Sequence, residues 1–408
     1  MPRKKSLIFS ALALVAICVF LAAPESASAA RKEKVLYKFC SEYACEDGTN
    51  PSDLILDAAG NLYGTTFTGG EYGFGVVFQL TPGAGGTWSE KVLYNFCSLQ
   101  DCADGAYPSS GLIFDAAGNL YGVTYGGDTQ RAVAYQLTPG ADGTWTESVL
   151  YTFSDGVGAP CGDLVFDTAG NLYGAADCYV TGAIFELKPQ GDGMWSEETL
   201  YTFQGSDGSE PNGPLVLDAS GNLYGTTFGG GTYNSGVAFQ LTPHAGGTWS
   251  EKVLHSFCSL QNCADGAYPF SGLIFDAAGN LYSTTANGGI SANGTVFRLS
   301  PRTNGRWKET VLRRFQRSRT PHAGLIFDAA GNLYGTTAGG GPGCPHDGCG
   351  TVFKLNPTTR AYKVLCTISR YGKGAAPDTS LIFDAAGNLY GATELGGNGY
   401  GVAFEVVR

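Results

Sequence analysis

Acidic and aromatic side chains recur in the segments that join the repeats of this chain. An Asp-Gly step shortly before a proline occurs in five of these segments, with the aspartates Asp47, Asp104, Asp155, Asp207 and Asp265. Two of the prolines directly follow a tyrosine, Tyr107 and Tyr268. Aromatic rings suit the apolar faces of sugars, and carboxylates suit polar ligands. Asp-Gly is also an ordinary turn sequence, so a ligand role and a turn role are both open for these aspartates.

Eight cysteines form four Cys-x-x-x-x-Cys pairs: Cys40/Cys45, Cys97/Cys102, Cys258/Cys263 and Cys344/Cys349. In an exported protein these pairs predict local disulfides; the alternative, zinc ligation, needs thiolates kept in a reducing environment. We also pair Cys161 with Cys178, because both belong to one repeat and fall in connections on the same predicted face. Cys366 replaces a tyrosine of a strand and is predicted to be a buried thiol.

The motif Asp-x-x-Gly-Asn-Leu-Tyr occurs seven times, with its aspartate at Asp57, Asp115, Asp167, Asp218, Asp276, Asp328 and Asp384. Seven recurring carboxylates could line an ion site. A turn accounts for the whole motif, however, since aspartate accepts hydrogen bonds within turns and glycine adopts the positive φ that strains other residues. We therefore predict that the motif connects the first two strands of each repeat.

Known catalytic motifs are missing from the chain. It contains no Gly-x-Ser-x-Gly elbow, no His-Glu-x-x-His helix and no phosphate-binding glycine loop before a helix. The four histidines occupy positions that do not recur, and His346 lies beside Asp347 within a predicted disulfide loop. We predict no catalytic residue, no metal ligand and no cofactor.

Each repeat contains four candidate strands, exemplified by residues 111–114, 120–124, 75–80 and 88–96. Their Val, Ile, Tyr, Phe and Thr content and the glycine-rich segments between them favour strands. Five tryptophans share one repeat position and are interpreted as packing between blades: Trp88, Trp145, Trp195, Trp249 and Trp307. Repeats one to three match repeats four to six at a constant offset of 161 residues, as from Asp57 to Asp218, which indicates a duplicated block.

The order of the strands predicts a closed ring. The chain after its leader begins with a fourth strand near residues 34–39 and ends with a third strand near 401–407, so joining the two ends completes a blade. We predict an all-β, seven-bladed β-propeller with four-stranded blades, closed by the N-terminal strand. An open β-solenoid is the alternative, although its repeats are normally shorter.

The stretch Gly-Leu-Ile-Phe-Asp-Ala-Ala-Gly-Asn-Leu-Tyr-Gly-Thr-Thr, followed by Gly-Gly and Gly-x-Val-Phe, resembles the bacterial "choice-of-anchor" GloVer tandem-repeat proteins. The resemblance covers nearly the whole chain. It implies an exported, propeller-like protein, and it brings no established activity with it.

The first 29 residues are predicted to be a signal peptide. Arg3, Lys4 and Lys5 precede an apolar run over 7–23, and Ala27-Ser28-Ala29 is a suitable cleavage sequence. A retained anchor is the alternative, but the run is short for a bilayer span. We expect residues 30–408 to form one domain without a transmembrane segment, secreted, periplasmic or held at the cell surface. The net charge of −11 argues against nucleic acid as a partner, and we expect a monomer.

These features predict an exported, non-catalytic binding or scaffold module whose partner is extracellular carbohydrate or protein. The alternative is a secreted hydrolase or lactonase with a divalent cation in the central funnel, which rests on analogy between propellers. A purely structural surface protein is a third interpretation.

Overall fold

The structure, a computed structural model, describes residues 33–407 except 128–130, 154–157, 177–180, 192, 317–318, 341–348 and 370–373. The described residues form seven antiparallel sheets arranged as the blades of one ring, which confirms the predicted seven-bladed β-propeller. Helical structure in this part of the chain is limited to four 3-10 turns: Tyr43–Cys45, Ala84–Gly86, Gln100–Cys102 and Gln261–Cys263. No helix among these residues is long and apolar enough to cross a membrane.

The strands of blades 1 to 3 follow one another along the chain, from the axis outward. Blade 1 contains β2 (Thr49–Pro51) and β3 (Ile55–Leu56), which both pair with β4 (Leu62–Thr68), and then β5 (Val76–Pro82) and β6 (Trp88–Asn95). Blade 2 contains β7 (Ile113–Phe114), β8 (Leu120–Val123), β9 (Val133–Pro139) and β10 (Trp145–Thr152). Blade 3 contains β11 (Pro160–Phe166), β12 (Leu172–Ala176), β13 (Ala183–Pro189) and β14 (Trp195–Thr202).

Blades 4 to 6 repeat the same order. Blade 4 contains β15 (Ser209–Pro211) and β16 (Val216–Leu217), which both pair with β17 (Leu223–Gly229), and then β18 (Val237–Pro243) and β19 (Trp249–Ser256). Blade 5 contains β20 (Ile274–Phe275), β21 (Leu281–Thr285), β22 (Thr295–Pro301) and β23 (Trp307–Arg314). Blade 6 contains β24 (Ile326–Phe327), β25 (Leu333–Thr337), β26 (Cys349–Leu355) and β27 (Tyr362–Ser369).

Blade 7 joins the two ends of the described chain. It contains β28 (Ile382–Phe383), β29 (Leu389–Thr393) and β30 (Val402–Val406), and its outermost strand is the N-terminal β1 (Glu33–Lys38). β1 pairs antiparallel with β30, from Glu33 opposite Val406 to Lys38 opposite Val402. The predicted closure of the ring is therefore confirmed, and β30 is not left as an open edge.

The seven motif turns account for the Asp, Gly, Asn and Tyr of the Asp-x-x-Gly-Asn-Leu-Tyr pattern. In the first copy, Asp57 Oδ1 accepts hydrogen bonds from the backbone N–H groups of Ala59 at 2.9 Å and Asn61 at 2.8 Å. Asp57 Oδ2 accepts from the Asn61 side-chain amide at 2.8 Å and from the Tyr63 hydroxyl at 3.1 Å. Gly60 has a φ of 87°, where a side chain would strain the backbone. The predicted turn role is confirmed.

The core is divided into clusters that lie between adjacent blades. Between blades 1 and 2, for example, Val77 and Tyr63 pack with Leu120 and Tyr135. The recurring tryptophans contribute to the same packing, since the Trp145 ring of blade 2 lies 6.2 Å from the Tyr63 ring of blade 1. Packing between blades, as predicted for the tryptophans, therefore holds each blade to the one before it.

One blade departs from the repeat inside this core. Tyr135 in β9 is fully buried, and its hydroxyl has no hydrogen-bond partner among the described residues. The other six blades carry phenylalanine at the matching position: Phe78, Phe185, Phe239, Phe297, Phe353 and Phe404. A buried polar group without a partner destabilises the folded state by about 1–3 kcal/mol.

We therefore expect the Tyr135→Phe variant to be more stable than the wild type by about 1 kcal/mol. The free energy of unfolding, measured by urea titration, checks this expectation. The reverse substitution in blade 3, Phe185→Tyr, is the matched control and is expected to destabilise the protein. A Tyr135→Phe variant less stable than wild type would show that the hydroxyl has a favourable interaction.

Because the strands of each blade are antiparallel, the connections between them lie on two opposite faces of the ring. The turns between first and second strands and between third and fourth strands lie on one face. The loops between second and third strands lie on the other face, together with the connections that lead from one blade to the next. We call this second surface the loop face, and ten of the twelve large exposed apolar side chains of the described residues lie there: Tyr43, Phe67, Tyr72, Leu99, Tyr233, Leu260, Phe270, Ile290, Leu395 and Tyr400.

Candidate functional site

Short disulfide loops form part of the loop face. Disulfides join Cys40 to Cys45, Cys97 to Cys102 and Cys258 to Cys263, three of the five pairs that the sequence predicts. Cys161 and Cys349 are also disulfide-bonded, and the partners predicted for them, Cys178 and Cys344, lie outside the described residues. Cys366 is buried in β27, as predicted.

The Asp-Gly aspartates organise these loops from within. Asp104 is fully buried, and its Oδ2 accepts hydrogen bonds from the Ser98 N–H, the Ser98 hydroxyl and the Tyr94 hydroxyl, each at 2.8 Å. Asp47 makes the matching contacts with Ser41 and Tyr37. These carboxylates therefore have a structural role, because they satisfy the donors of a tight loop.

The remaining Asp-Gly aspartates vary this arrangement. Asp265 is fully buried, and although burial alone would raise its pKa, hydrogen bonds from His255 and Ser259 hold the pKa of Asp265 at about 2. Asp207 has no disulfide beside it and accepts from the Tyr201 hydroxyl at 2.5 Å. Asp155 lies outside the described residues. Direct contact of these aspartates with a ligand stays a prediction.

Tyr107 and Tyr268 each belong to an aromatic pair on the loop face. The Tyr107 ring stacks on Phe67 with a centroid distance of 5.3 Å, and the Tyr268 ring stacks on Phe228 at 5.0 Å. The two pairs are counterparts in the duplicated block, three blades apart around the ring. We call them the two aromatic platforms. Phe67 is 41% exposed, and the exposed Phe270 ring lies 6.0 Å from Phe228.

Both platform tyrosines are held in a left-handed backbone conformation. The φ of Tyr107 is 58° and that of Tyr268 is 57°, values that are unfavourable for an aromatic residue. Hydrogen bonds fix the conformation: the Tyr107 N–H donates to Phe74 O and the Tyr125 N–H donates to Tyr107 O, both at 2.8 Å. The same position in blades 1 and 4 holds Asn50 and Glu210 at similar φ, so the conformation belongs to the repeat and the ring is specific to two blades.

A central funnel of about 500 Å³ opens on the loop face. Every blade contributes to its wall through the residue four positions before the motif aspartate. These seven residues, in blade order, are Asp53, Gly111, Asp163, Pro214, Gly272, Gly324 and Ser380. Phe67, Tyr125 and Phe270 border the same cavity.

Two of these wall positions carry carboxylates that lie on either side of Gly111. A methyl group added to Gly111 would lie 3.0 Å from Asp53 Cβ and 3.1 Å from Asp163 Oδ1. Asp53 Oδ1 accepts from the Ser380 N–H at 2.8 Å, and Asp163 Oδ1 accepts from the Gly111 N–H at 2.6 Å. Each carboxylate thus bonds to the backbone of the blade before it.

The protein environment favours the neutral forms of this pair. Burial, with the negative charge of Asp53 as a second cause, raises the pKa of Asp163 to about 7. Burial also raises the pKa of Asp53 above its ordinary value, although hydrogen bonds from Ser380 oppose the change. Two enclosed carboxyl groups in one cavity resist ionising together.

Three further ionisable groups face the funnel from blades 6 and 7. His322 Nδ1 lies 3.3 Å from Asp378 Oδ1, and the His322 ring lies 5.8 Å from Phe270. Burial, with the charge of Asp378 as a second cause, raises the pKa of Glu394 above its ordinary value. The funnel therefore collects four carboxyl groups and one imidazole from four different blades.

None of these five groups was singled out as a site residue from the sequence, and yet the repeat contains a signal. The block duplication relates Asp53 to Pro214 and Asp163 to Gly324, so the blade fold does not require a carboxylate at this position. At the repeat position of His322 and Asp378, every blade carries a different residue. A search for a repeat position next to the axis at which the copies differ would have identified Asp53 and Asp163.

The arrangement suits recognition of a polar ligand that has an apolar face. Carboxylates and backbone groups of the funnel wall offer hydrogen bonds, while the Phe67, Tyr125 and Phe270 rings that border it offer flat aromatic surfaces. Among the described residues, no three His, Cys, Asp or Glu side chains are grouped so that they could hold a metal ion.

Comparisons with known proteins relate the chain to a family and to a fold. A family model described as the Gloeobacter/Verrucomicrobia repeat matches residues 25–181 and 176–404. The crystal structure of a protein from Lactobacillus plantarum is similar with a TM-score of 0.50 and 16% identity, covering 78% of this chain and 85% of that chain. At this identity the similarity extends to the fold alone.

Two other solved structures are more distant. A luciferin-regenerating enzyme gives a TM-score of 0.43 at 12% identity, with 93% of this chain and 95% of that chain covered. The tricorn protease gives 0.38 at 12% identity, with 78% of this chain and 26% of that chain covered. Comparison with curated proteins finds no match.

Proposed function

The chain belongs to the Gloeobacter/Verrucomicrobia repeat family, and from the site on its loop face we propose that it is an exported, non-catalytic propeller that binds glycans. In this proposal residues 1–29 are a signal peptide and residues 30–408 form one propeller domain. The disulfides support export, because such bonds persist in oxidising compartments. The Gloeobacter/Verrucomicrobia repeat is the GloVer resemblance predicted from the sequence, which is thereby confirmed.

The observation that carries the proposal is the combination of the funnel with the two aromatic platforms beside it. Sugar rings present C–H groups on their faces and hydroxyl groups at their edges. The exposed faces of Phe67 and Phe270 fit the former, and the carboxylates of the funnel wall fit the latter. A cavity of about 500 Å³ is within the range that holds one or two sugar units.

The rigidity of the face supports binding of a flexible chain. Disulfides close two of the connections next to the platforms, Cys97–Cys102 and Cys258–Cys263. Buried Asp104 and Asp265 fix the same loops by hydrogen bonds. A site ordered before binding loses less conformational entropy when the ligand arrives.

The double variant Phe67→Ala/Phe228→Ala tests the proposal, because it removes one ring from each platform. We expect the glycan that the wild type selects on an array to bind this variant at least ~10-fold more weakly, a loss of about 1.4 kcal/mol. Titration calorimetry with that glycan measures the change.

Met194→Ala is the control, since Met194 is 63% exposed in a connection on the opposite face. Circular dichroism verifies that each variant is folded. Unchanged affinity in the folded double variant, or no glycan bound by the wild type, would contradict the proposal.

A further inference from the structure

Resting on the proposed glycan site, we infer that the sugar unit entering the funnel carries a positive charge. The chemical class is a glycan with free primary amino groups, in which an ammonium group occupies the funnel and neighbouring sugar rings lie on the aromatic platforms. The cavity and its aromatic rim define the site, and the charge of its wall selects the ligand.

Carboxyl groups predominate among the ionisable side chains of the described funnel wall. Asp53, Asp163, Asp378 and Glu394 contribute carboxyl groups, and no lysine or arginine is among the described residues of the wall. His322 is the one basic side chain there, and it lies against Asp378 at 3.3 Å. A ligand with a phosphate, sulfate or carboxylate group would meet repulsion in this cavity, whereas an ammonium would be attracted.

The geometry around Gly111 fits an ammonium group. Asp163 accepts the Gly111 N–H, and Asp53 accepts from the Ser380 N–H and the Ser380 side chain, which leaves further lone pairs on both carboxylates for a ligand. Gly111 has no side chain, and a methyl group at this position would lie against both aspartates, 3.0 Å from Asp53 Cβ and 3.1 Å from Asp163 Oδ1. An ammonium has three N–H donors, enough to bridge two carboxylates and a third acceptor.

A cation also relieves an unfavourable feature of the empty site. Asp53 and Asp163 repel each other when both are ionised, which is one reason why the pKa of Asp163 is raised. An ammonium between them compensates both charges. A neutral hydroxyl group cannot do this, so the pair distinguishes an amino sugar from its neutral analogue.

The aromatic lining favours an organic cation over a bare metal ion. Phe67, Tyr125 and Phe270 border the funnel, and aromatic faces attract ammonium groups as well as sugar C–H groups. The part of the wall that the structure describes contains no trio of ligands positioned for one metal ion.

The test compares three oligosaccharides of equal length that differ at one substituent of each sugar: glucosamine, N-acetylglucosamine and glucose oligomers with the same β-1,4 linkage. We expect calorimetry at low salt to show at least tenfold tighter binding of the glucosamine oligomer to the full-length mature protein. We also expect this preference to shrink as salt is added, since salt screens charge.

The variant Asp53→Asn/Asp163→Asn is expected to lose the preference for the glucosamine oligomer, so that its affinities for the three oligomers become nearly equal. Gly111→Ala, which places a methyl group against both aspartates, is expected to act in the same direction. Asp101→Asn is the matched control: it removes one exposed charge of the loop face outside the funnel, and the duplicated position already holds Asn262. It is expected to leave the preference unchanged.

Equal affinity for the three oligomers, or preference for a neutral one, overturns the inference and leaves the glycan-binding proposal standing. Binding of none of the three by a wild type that also selects no glycan on the array overturns both. A preference that persists in the folded Asp53→Asn/Asp163→Asn variant shows that another part of the surface recognises the ammonium group. This result likewise overturns the inference.

Discussion

A chain that lacks residues 33–39 is expected not to form the closed ring. These residues supply the fourth strand of blade 7 and two side chains of the core between blades 7 and 1, Leu36 and Phe39, which are 8% and 0% exposed. Truncation of such side chains costs about 2–5 kcal/mol each, against a total stability of about 5–15 kcal/mol. Deletion also removes the strand that pairs with β30 and exposes that edge.

We expect the deleted protein to be largely unfolded or aggregated at 37 °C, as measured by circular dichroism and gel filtration. The matched control is Leu93→Ala/Phe96→Ala, which removes the same two side-chain types from the interior between blades 1 and 2 and leaves every strand in place. The control is expected to melt early and yet remain monomeric. A deleted chain that melts no lower than the control would contradict a closing role for β1.

The architecture could be predicted from the sequence because it depends on local rules that are repeated. Asp57, Gly60 and Asn61 form a turn whose hydrogen bonds involve residues at most six apart, and six further copies confirm the pattern. The strand order at the two ends then requires closure. Cys40 and Cys45 lie within one short loop, so their pairing needs no knowledge of the ring.

The funnel could not be predicted in the same way, because its residues meet only when the ring closes. Asp53 and Asp163 belong to blades 1 and 3, and Gly111 of blade 2 separates them. The repeated aspartates are the conspicuous feature of the sequence, but among them Asp104 and Asp265 are buried and support their loops. The carboxylates that reach the funnel are the ones that do not recur, since a rigid repeat leaves functional residues to the positions where copies differ.

Four glutamates in the outermost strands are expected to make the protein most stable in mildly acidic solution. They occupy one repeat position, two residues after the tryptophan: Glu90, Glu147, Glu251 and Glu309. In each, Oε1 is buried without a hydrogen-bond partner among the described residues. Burial raises the pKa of Glu90 to about 8 and those of the other three to about 7.

Neighbouring aspartates add to the effect of burial. Asp47 raises the pKa of Glu90, Asp104 that of Glu147, and Asp207 that of Glu251. The connection between blades thus places an aspartate near the glutamate of the next outer strand. Two carboxyl groups so close are accommodated best when one is protonated.

The direction of the pH dependence follows from proton binding. Between the ordinary glutamate pKa of about 4.5 and pH 7–8, the folded protein holds protons on these groups that the unfolded chain has released, so stability falls as pH rises through this window. At lower pH the trend reverses. Six motif aspartates have a lowered pKa because hydrogen bonds within their turns outweigh burial, and their contribution is lost on acidification: Asp57, Asp115, Asp218, Asp276, Asp328 and Asp384.

We therefore expect the melting temperature to peak near pH 5 and to fall by pH 8.5, with a loss of about 1 kcal/mol for each glutamate after allowance for partial solvent screening. The quadruple variant Glu90→Gln/Glu147→Gln/Glu251→Gln/Glu309→Gln carries no charge at these positions, so its melting temperature should fall less than that of the wild type between pH 5 and 8.5. The remaining fall comes from the funnel carboxyl groups, of which Asp163 has a pKa of about 7. Glu197→Gln in blade 3 is the control, because Glu197 Oε1 accepts a hydrogen bond from Thr199 at 2.9 Å. Thermal melts across the pH series test this expectation. If the quadruple variant loses as much stability as the wild type by pH 8.5, groups other than these four glutamates cause the pH dependence.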